Sequence, residues 1–357
     1  SVPKEAKAVK EFEDYDLSSL PPSKDHTPYL EKAWYKKSLW LWLLWPFSLI
    51  TKQISKRRLT KFLEGSTKTW STNIPLIVVG NIVAGGTGKT PFVIWLTKKL
   101  SELGYKPGVI SRGYGGRAKK YPLIVNDSTR ARISGDEPRL IFQNTNVPVY
   151  VSPNRVEAAK QMIEETDCNV IISDDGLQHY QLGRDIEIVI FDGYRGIGNN
   201  LCLPAGPLRE PIERIESVDF IISSSSSLTK EGIAENAIMK FKATEWVRLS
   251  DQKRVALDAW PLGKIIHGVA GIGNPSKFFA TLKEIGFKVI EHSFPDHYQF
   301  TEEDFTFSEQ LPIVMTEKDA ARCHKIDIKN IWVLKIEADL PDNFALELIN
   351  KIKEEDE

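Results

Sequence analysis

The stretch Ile74-Pro-Leu-Ile-Val-Val79-Gly80-Asn81-Ile82-Val83-Ala84-Gly85-Gly86-Thr87-Gly88-Lys89-Thr90 decides the fold. An apolar run of strand length ends in Gly-Asn, passes through a glycine-rich loop and enters a helical pattern from Lys89 to Leu103. Glycines let a backbone wrap close to a polyphosphate with its N–H groups pointing inward, and the helix behind adds its positive dipole end. In that reading Lys89 reaches the outer phosphates and the Thr90 hydroxyl ligates Mg²⁺. The strict G-x-x-x-x-G-K-[ST] pattern fails because Val83 holds the first glycine position. The K-G-G-x-G-K-[ST] form fails because Ala84 stands at its extra lysine. Gly-Gly-x-Gly-Lys-Thr between a strand and a helix still favours a nucleotide-binding loop over residues 83–90 against a plain turn.

Working outward, short apolar runs alternate with helical patterns. Lys106–Ile110, Val147–Val151, Val170–Ile172, Ile186–Phe191 and Val218–Ile222 read as buried strands, and Asn154–Glu165 reads as a helix. That alternation predicts an α/β fold, a P-loop NTPase-like domain on a mostly parallel sheet, over residues 64–236. Residues 237–261 read as extended linker strands. A second, smaller α/β domain is expected over 262–357, with strands at Lys264–Ala270, Pro312–Met315 and Ile331–Ile336 and helices at Pro275–Ile285 and Asn343–Lys353.

The length of 357 residues fits about two domains, and 41% hydrophobic with 27% charged residues excludes a wholly disordered chain or a polytopic membrane protein. With 47 Lys+Arg against 48 Asp+Glu, no charge excess points to nucleic acid, and none is expected as a partner. Cys168, Cys202 and Cys323 are far apart and form neither a disulfide framework nor a C-x-x-C metal site. Residues 1–31 read as a flexible tail without signal-peptide features. Residues 32–63 differ sharply: eight are Lys or Arg, none is Asp or Glu, and four of the nine tryptophans fall at positions 34–45. The run Leu39–Ile50 is too short to span a bilayer and contains Pro46. Trp40, Trp42 and Trp45 suit the headgroup level, with Lys36, Lys37, Lys52, Lys56, Arg57, Arg58 and Lys61 facing anionic lipid. This interfacial-helix reading is favoured over a core helix with solvated basic ends.

Other motifs carry chemistry. Asp174-Asp175-Gly-Leu-Gln178-His179 follows a buried strand, where such folds place a second Mg²⁺ anchor. Gly135-Asp136-Glu137-Pro138 offers two acids that either take a hydroxyl proton and hold Mg²⁺ or simply begin a helix. Ser111-Arg112-Gly-Tyr114-Gly-Gly-Arg117 either grips an anionic substrate or is a solvated turn. Phe294-Pro-Asp296-His297-Tyr298 sets a histidine beside an acid, a pattern more often structural than catalytic. His267, His292 and His324 read as core or surface residues without zinc-site spacing. The Ser223–Ser227 run says little by itself.

Together these motifs resemble the tetraacyldisaccharide 4′-kinase family, the ATP-dependent lipid A kinases of Gram-negative bacteria. Also similar are Asn154-Arg155-Val-Glu-Ala158, Leu203-Pro-Ala-Gly-Pro-Leu-Arg209-Glu210, His267-Gly-Val-Ala-Gly-Ile-Gly273 and Thr316-Glu-Lys-Asp319, so the likeness runs from about Trp34 to Ala338. The resemblance implies ATP and Mg²⁺ as cofactors and an active site in a cleft between the two domains. Its substrate is an acylated glucosamine disaccharide 1-phosphate, phosphorylated on the 4′ hydroxyl. It also implies a peripheral enzyme, expected as a monomer, on the cytoplasmic face of the inner membrane. It assigns Asp136 as general base coupled to His297, Lys89 to catalysis, and Thr90, Asp175 and Glu137 to the metal. Asn81, Arg112, Tyr114, Arg155, Gln178, His179 and Arg209 are similar to residues lining the substrate side. Two departures stand out: Ser223–Ser227 replaces a frequent Asn-Gly, and Tyr298 replaces a second histidine. The rival from another class is a membrane-docked P-loop ATPase switch, which needs neither Gln178-His179 nor a second domain. A GTPase is disfavoured because Asn-Lys-x-Asp is absent.

Overall fold

The computed structural model describes residues 24, 26–36, 38–323, 326, 328 and 330–356. Most of the expected tail, with Lys37 and His324, lies outside them. The chain forms two compact units: Pro28–Phe241 with Ala338–Glu357, and Lys242–Glu337 with the described part of Ser1–Thr27.

The larger unit is built on eight strands: β1 (Leu76–Gly80), β2 (Pro107–Ser111), β3 (Leu123–Ile124), β4 (Val149–Val151), β5 (Val170–Asp174), β6 (Ile186–Phe191), β7 (Phe220–Ser223) and β8 (Ala237–Ile238). Their order is β3-β4-β2-β5-β1-β6-β7-β8. Only the edge pair β3–β4 is antiparallel; the other pairs run parallel. Strands β1, β2, β5 and β6 are buried along their whole length, which is why they read as unbroken apolar runs rather than alternating ones. Side-chain alternation splits β1 between two cores. Ile77 and Val79 meet Phe92, Val93, Leu96 and Leu100 of the helix Lys89–Glu102, while Leu76 and Val78 belong with Ala158, Ala159 and Met162 of the helix Arg155–Glu165.

The expected domain limits need two corrections. The terminal helix Asp342–Asp356, assigned from sequence to the small domain, joins the larger core through Phe344, Leu348 and Ile352. Those residues are four apart and form one apolar stripe, a pattern that shows a buried face but not which sheet buries it. Nor are residues 237–261 a linker: β8 extends the large sheet, while β9 (Lys240–Arg248) and β10 (Arg254–Ala256) enter the small one.

The smaller unit is completed by β11 (Ile265–Ala270), β12 (Lys288–Ser293), β13 (Ile313–Thr316) and β14 (Ile331–Asp339), ordered β10-β9-β14-β13-β11-β12. The helix Pro275–Glu284 packs Phe278, Phe279 and Leu282 on this sheet. Strand β12 is not among the expected strands: Lys288-Val-Ile-Glu-His-Ser293 has four polar or charged residues, leaving an apolar run of only Val289-Ile290. Two residues of the expected tail are engaged here, His26 Nε2 with the Ser293 carbonyl at 2.9 Å and the Lys24 carbonyl with the Ser293 hydroxyl.

The N-terminal segment of the larger unit is a helix Tyr29–Lys36, a 3₁₀ turn Leu39–Leu43 and a helix Trp45–Leu63. The first helix starts at Tyr29, so the expected boundary at residue 32 cuts through it. One face docks on the segment after β6. Trp34 Nε1 donates to the Pro204 carbonyl at 3.0 Å, and the Ser48 hydroxyl donates to the Cys202 carbonyl at 2.7 Å while accepting from the Ala205 amide. The opposite face is apolar and bare: Leu39 is 82% exposed, Leu43 77% and Trp42 65%, followed by Phe47, Ile50 and Ile54. No helix among the described residues is long and apolar enough to cross a membrane. Residues 32–63 thus carry one face packed on the larger unit and one exposed apolar face.

Candidate active site

The loop after β1 is held open by its own side chains. Gly85 and Gly88 have φ of 107° and 89°, which only glycine adopts without strain, and Gly88 caps the helix that begins at Lys89. Asn81, fully buried, donates from Nδ2 to Thr87 Oγ1 at 3.2 Å and reaches the Gly85 carbonyl at 3.4 Å. It thus braces the loop from within. The Ala84 amide is spent on the Pro207 carbonyl at 2.7 Å, and Val83 bridges Leu208. Of the expected nucleotide-contacting run, Val83 and Ala84 are therefore pinned to 207–208, leaving Gly85–Thr90 as the open part.

The Asp-Asp motif sits against this loop. A Cβ on Gly80 would stand 2.5 Å from Leu177 Cβ, so the glycine lets the end of β1 and the 175–178 turn touch. Asp174 and Asp175 then divide their roles. Asp175, at φ 51°, lies 3.5 Å from Lys89 Nζ and 3.2 Å from Arg209 Nη1. Burial alone would raise its pKa, but Lys89 and Arg209 outweigh that and hold the carboxyl below its usual range. Arg155 grips the Asp175 carbonyl at 3.1 Å. Asp174 is buried, takes one hydrogen bond from the Ser111 hydroxyl at 3.2 Å, and leaves Oδ1 without a hydrogen-bond partner. Burial, with Asp175 and Glu137 adding to it, pushes its pKa up to about 7. An orphaned buried carboxylate oxygen beside a phosphate-type loop fits a divalent cation. Among the described residues no three His, Cys, Asp or Glu side chains gather as a metal cage. The remaining ligands would be drawn from Thr90, the neighbouring Asp175 or Glu137 carboxylate, phosphate oxygens and water, the usual manner of Mg²⁺.

Two further loops close on the same end of the sheet. Glycines at 113, 116 and 135 permit backbone-to-backbone packing of 111–117 against 133–135: a Cβ on Gly116 would stand 2.6 Å from the Ile133 carbonyl oxygen, and one on Gly135 2.8 Å from that of Tyr114. This brings Arg112 and Tyr114, both exposed, beside Asp136 and Glu137. Asp136, 7% exposed, begins the helix Asp136–Thr145, so the helix-start reading of Gly-Asp-Glu-Pro holds together with the acid's place near the site.

Gln178 donates to the Asn81 carbonyl at 3.0 Å and to Glu210 at 3.1 Å. Behind it lies an ion network that sequence reasoning missed. Arg214 and Arg184 both reach Glu187, and Tyr180 donates to Glu210 and accepts from Arg214 at 3.1 Å. Its longer links, such as Arg214 to Glu187 and Tyr180 to Glu210, join residues 27 and 30 apart in sequence and leave no local signal. His179 is held neutral, its pKa lowered to about 4 by burial and then by Arg155, Arg184, Arg58 and Arg112. It helps line a cavity of about 360 Å³ with Arg58, Lys61, Thr67, Tyr180 and Gln181. Two cations expected at lipid are turned to protein instead: Lys52 pairs with Glu213 at 3.4 Å, and Arg58 donates to the Gln178 carbonyl at 3.0 Å. Trp40 is likewise drawn inward, its indole N–H buried and its ring stacked on Tyr29.

His297 belongs to the smaller unit. It sits at φ 61°, with its Nε2 3.7 Å from Asp296 and its Nδ1 3.4 Å from Arg322. Arg322 is itself buried and paired with Asp319, so the imidazole is held in place by a fixed cation and an exposed acid.

A parallel sheet with a glycine loop at β1, a lysine at the helix start and paired aspartates at the end of β5 defines a P-loop α/β protein of the phosphoryl-transfer class. Residues 40–353 match the profile of the family described as Tetraacyldisaccharide-1-P 4′-kinase, and the chain belongs to that family. Among its relatives, the tetraacyldisaccharide 4′-kinase of Hahella chejuensis is 41% identical over 88% of this chain and 94% of that one. The kinase of the same name from Psychromonas ingrahamii is 43% identical over 90% and 98%. The crystal structure of LpxK from Aquifex aeolicus in complex with ATP superposes with a TM-score of 0.74 at 29% identity, covering 88% of this chain and 99% of that one.

Proposed function

We propose that this protein phosphorylates the 4′ hydroxyl of a tetraacylated glucosamine disaccharide 1-phosphate, using ATP and Mg²⁺, as a step of lipid A biosynthesis. The observation that carries this reading is the family match over nearly the whole chain, joined to a loop whose open part, Lys89, buried Asp174 and half-buried Asp175 suit a magnesium-bound polyphosphate. ATP with Mg²⁺ supplies the phosphoryl group and neutralises the charge that develops on it. Lys89, held by Asp175, presents its ammonium to the outer phosphates. Asp136 takes the proton of the 4′ hydroxyl, and Glu137, Asp175 and Thr90 serve the metal. Arg112, Tyr114, Arg155, Gln178, His179 and Arg209 orient the sugar, and the cavity lined by Arg58 and Lys61 suits a phosphorylated one. Asn81 acts by bracing the loop. His297 contributes to turnover from the smaller unit.

A substrate with four acyl chains stays in a bilayer, so the enzyme works as a peripheral protein at the cytoplasmic face of the inner membrane. The bare apolar face from Leu39 to Ile54 supports that contact. The test is chemical identification of the product. Incubation with ATP and the disaccharide 1-phosphate should place one new phosphate on the 4′ oxygen, read by phosphorus NMR. A product phosphorylated elsewhere, or none, would remove the assignment.

A further inference from the structure

Arg195 follows β6, whose neighbour in the sheet is β1, so its loop and the glycine loop rise side by side from the same sheet end. The contact is close: a Cβ on Gly85 would stand 2.9 Å from Arg195 Nη1 and 3.5 Å from Glu31 Oε1. The guanidinium carbon lies over the Tyr35 ring, 4.8 Å from its centroid, and the side chain is only one-fifth exposed. Its Nη2 donates to Glu31, on the helix Tyr29–Lys36. Turns at Gly196 and Gly198, both at φ near 60°, and the Arg195 and Gly196 amides on the Asp192 carbonyl fix the loop that carries it. A preorganised planar fork of N–H donors against an exposed glycine of a phosphate loop is the geometry that recognises phosphate oxygens. The group now on that fork is a carboxylate, which uses the same donors.

Resting on the kinase reading, we propose that Arg195 is a further ligand of the nucleotide's phosphates, contributed in cis, and that Glu31 competes with the nucleotide for it. A triphosphate carries more charge than one carboxylate and meets the guanidinium together with the loop amides and Lys89, so it displaces Glu31. Because coupling is reciprocal, weakening the Glu31–Arg195 pair strengthens nucleotide binding. A purely structural ion pair has no such sign: removing either partner would act in the same direction.

The experiment is calorimetric binding of a non-hydrolysable ATP analogue with Mg²⁺ to the full chain, with thermal melting of the nucleotide-free variants beside it. Arg195→Ala should weaken binding roughly tenfold to a hundredfold, the scale of a lost charge-assisted hydrogen bond. Arg195→Lys, which keeps the charge and loses the fork, should weaken it too and covers the case in which the alanine variant is poorly folded. Glu31→Gln should lower the nucleotide-free melting temperature yet tighten analogue binding, and its effect should vanish in the Arg195→Ala background. Unchanged affinity in a folded Arg195→Ala variant, or weaker binding in Glu31→Gln, would overturn the proposal. Lys89→Ala separates the two levels: if wild type binds and Lys89→Ala does not, the nucleotide site on which the kinase reading rests stands whatever Arg195 does. If wild type binds no analogue, both fall.

Discussion

At the residue scale, the site is a set of charges arranged so that each leaves something unmet. Lys89 is committed to Asp175, Asp175 is shared with Arg209, and Asp174 keeps one buried oxygen without a hydrogen-bond partner. Lys89→Ala should reduce turnover by about 10²–10³, the usual cost of removing one group aimed at developing charge. It should leave the melting temperature within a few degrees. Near-normal turnover by a folded variant would contradict the loop's role. Asp136→Asn should cost about 10²–10⁴ as the loss of a general base, and His297→Ala should also slow turnover. A double variant measured in the same assay tells whether the losses add. Lys89, Thr90 and the Asp-Asp pair were legible because the chemistry needs those residue types at fixed distance from a strand end. The part played by Asn81 and Ser111, and the nearness of Arg195, were not. Their work depends on which strands become neighbours, and β1 lies between β5 and β6, far from it in sequence.

At the element scale, the N-terminal segment presents two unlike faces. Its inner face is tied down by Trp34 and Ser48, so deleting the whole segment would strip the 202–205 stretch of its cover. Substituting the outer face is the cleaner probe. Trp42→Ser, Phe47→Ser and Ile50→Ser combined should release the protein from anionic vesicles in co-sedimentation while leaving the circular-dichroism melt in place. Equal vesicle binding would move the membrane contact elsewhere. Amphipathic composition was readable here, but not that Lys52 and Arg58 turn to protein, because their partners lie more than a hundred residues away. In the smaller unit, β11 and β12 place His267 and His292 side by side at 3.0 Å, both stacked on Phe307. Burial, then His267, lowers the His292 pKa from 6.5 to about 4. Between those values the unfolded chain binds a proton that the folded one refuses, so stability falls as pH drops from about 6.5 towards 4. His292→Gln should flatten that slope in melts taken at pH 7 and pH 5. An unchanged slope would show that the pair does not govern acid sensitivity.

At the scale of the whole molecule, the class of fold was legible and the partition of the chain was not. Alternating apolar runs and helices announce a parallel sheet because such strands are buried on both faces. They do not say where a helix docks once both units offer an apolar sheet face, which is why Asp342–Asp356 was expected in the wrong one. The smaller sheet gathers β9 and β10 from a stretch whose mixed polarity resembles a linker, since β10 is the edge strand and β9 alternates exposed and half-buried residues along most of its length. What the assembled protein must do is couple nucleotide cleavage to a lipid acceptor. The most direct measurement is ADP release by the wild-type chain at saturating ATP and Mg²⁺, with and without the tetraacylated disaccharide 1-phosphate. A kinase should form ADP only with the acceptor, one ADP for each lipid phosphorylated, and Lys89→Ala should lower both by about 10²–10³. ADP formed at the same rate without acceptor, with the lipid recovered unchanged, would contradict the account and mark the protein as a P-loop ATPase.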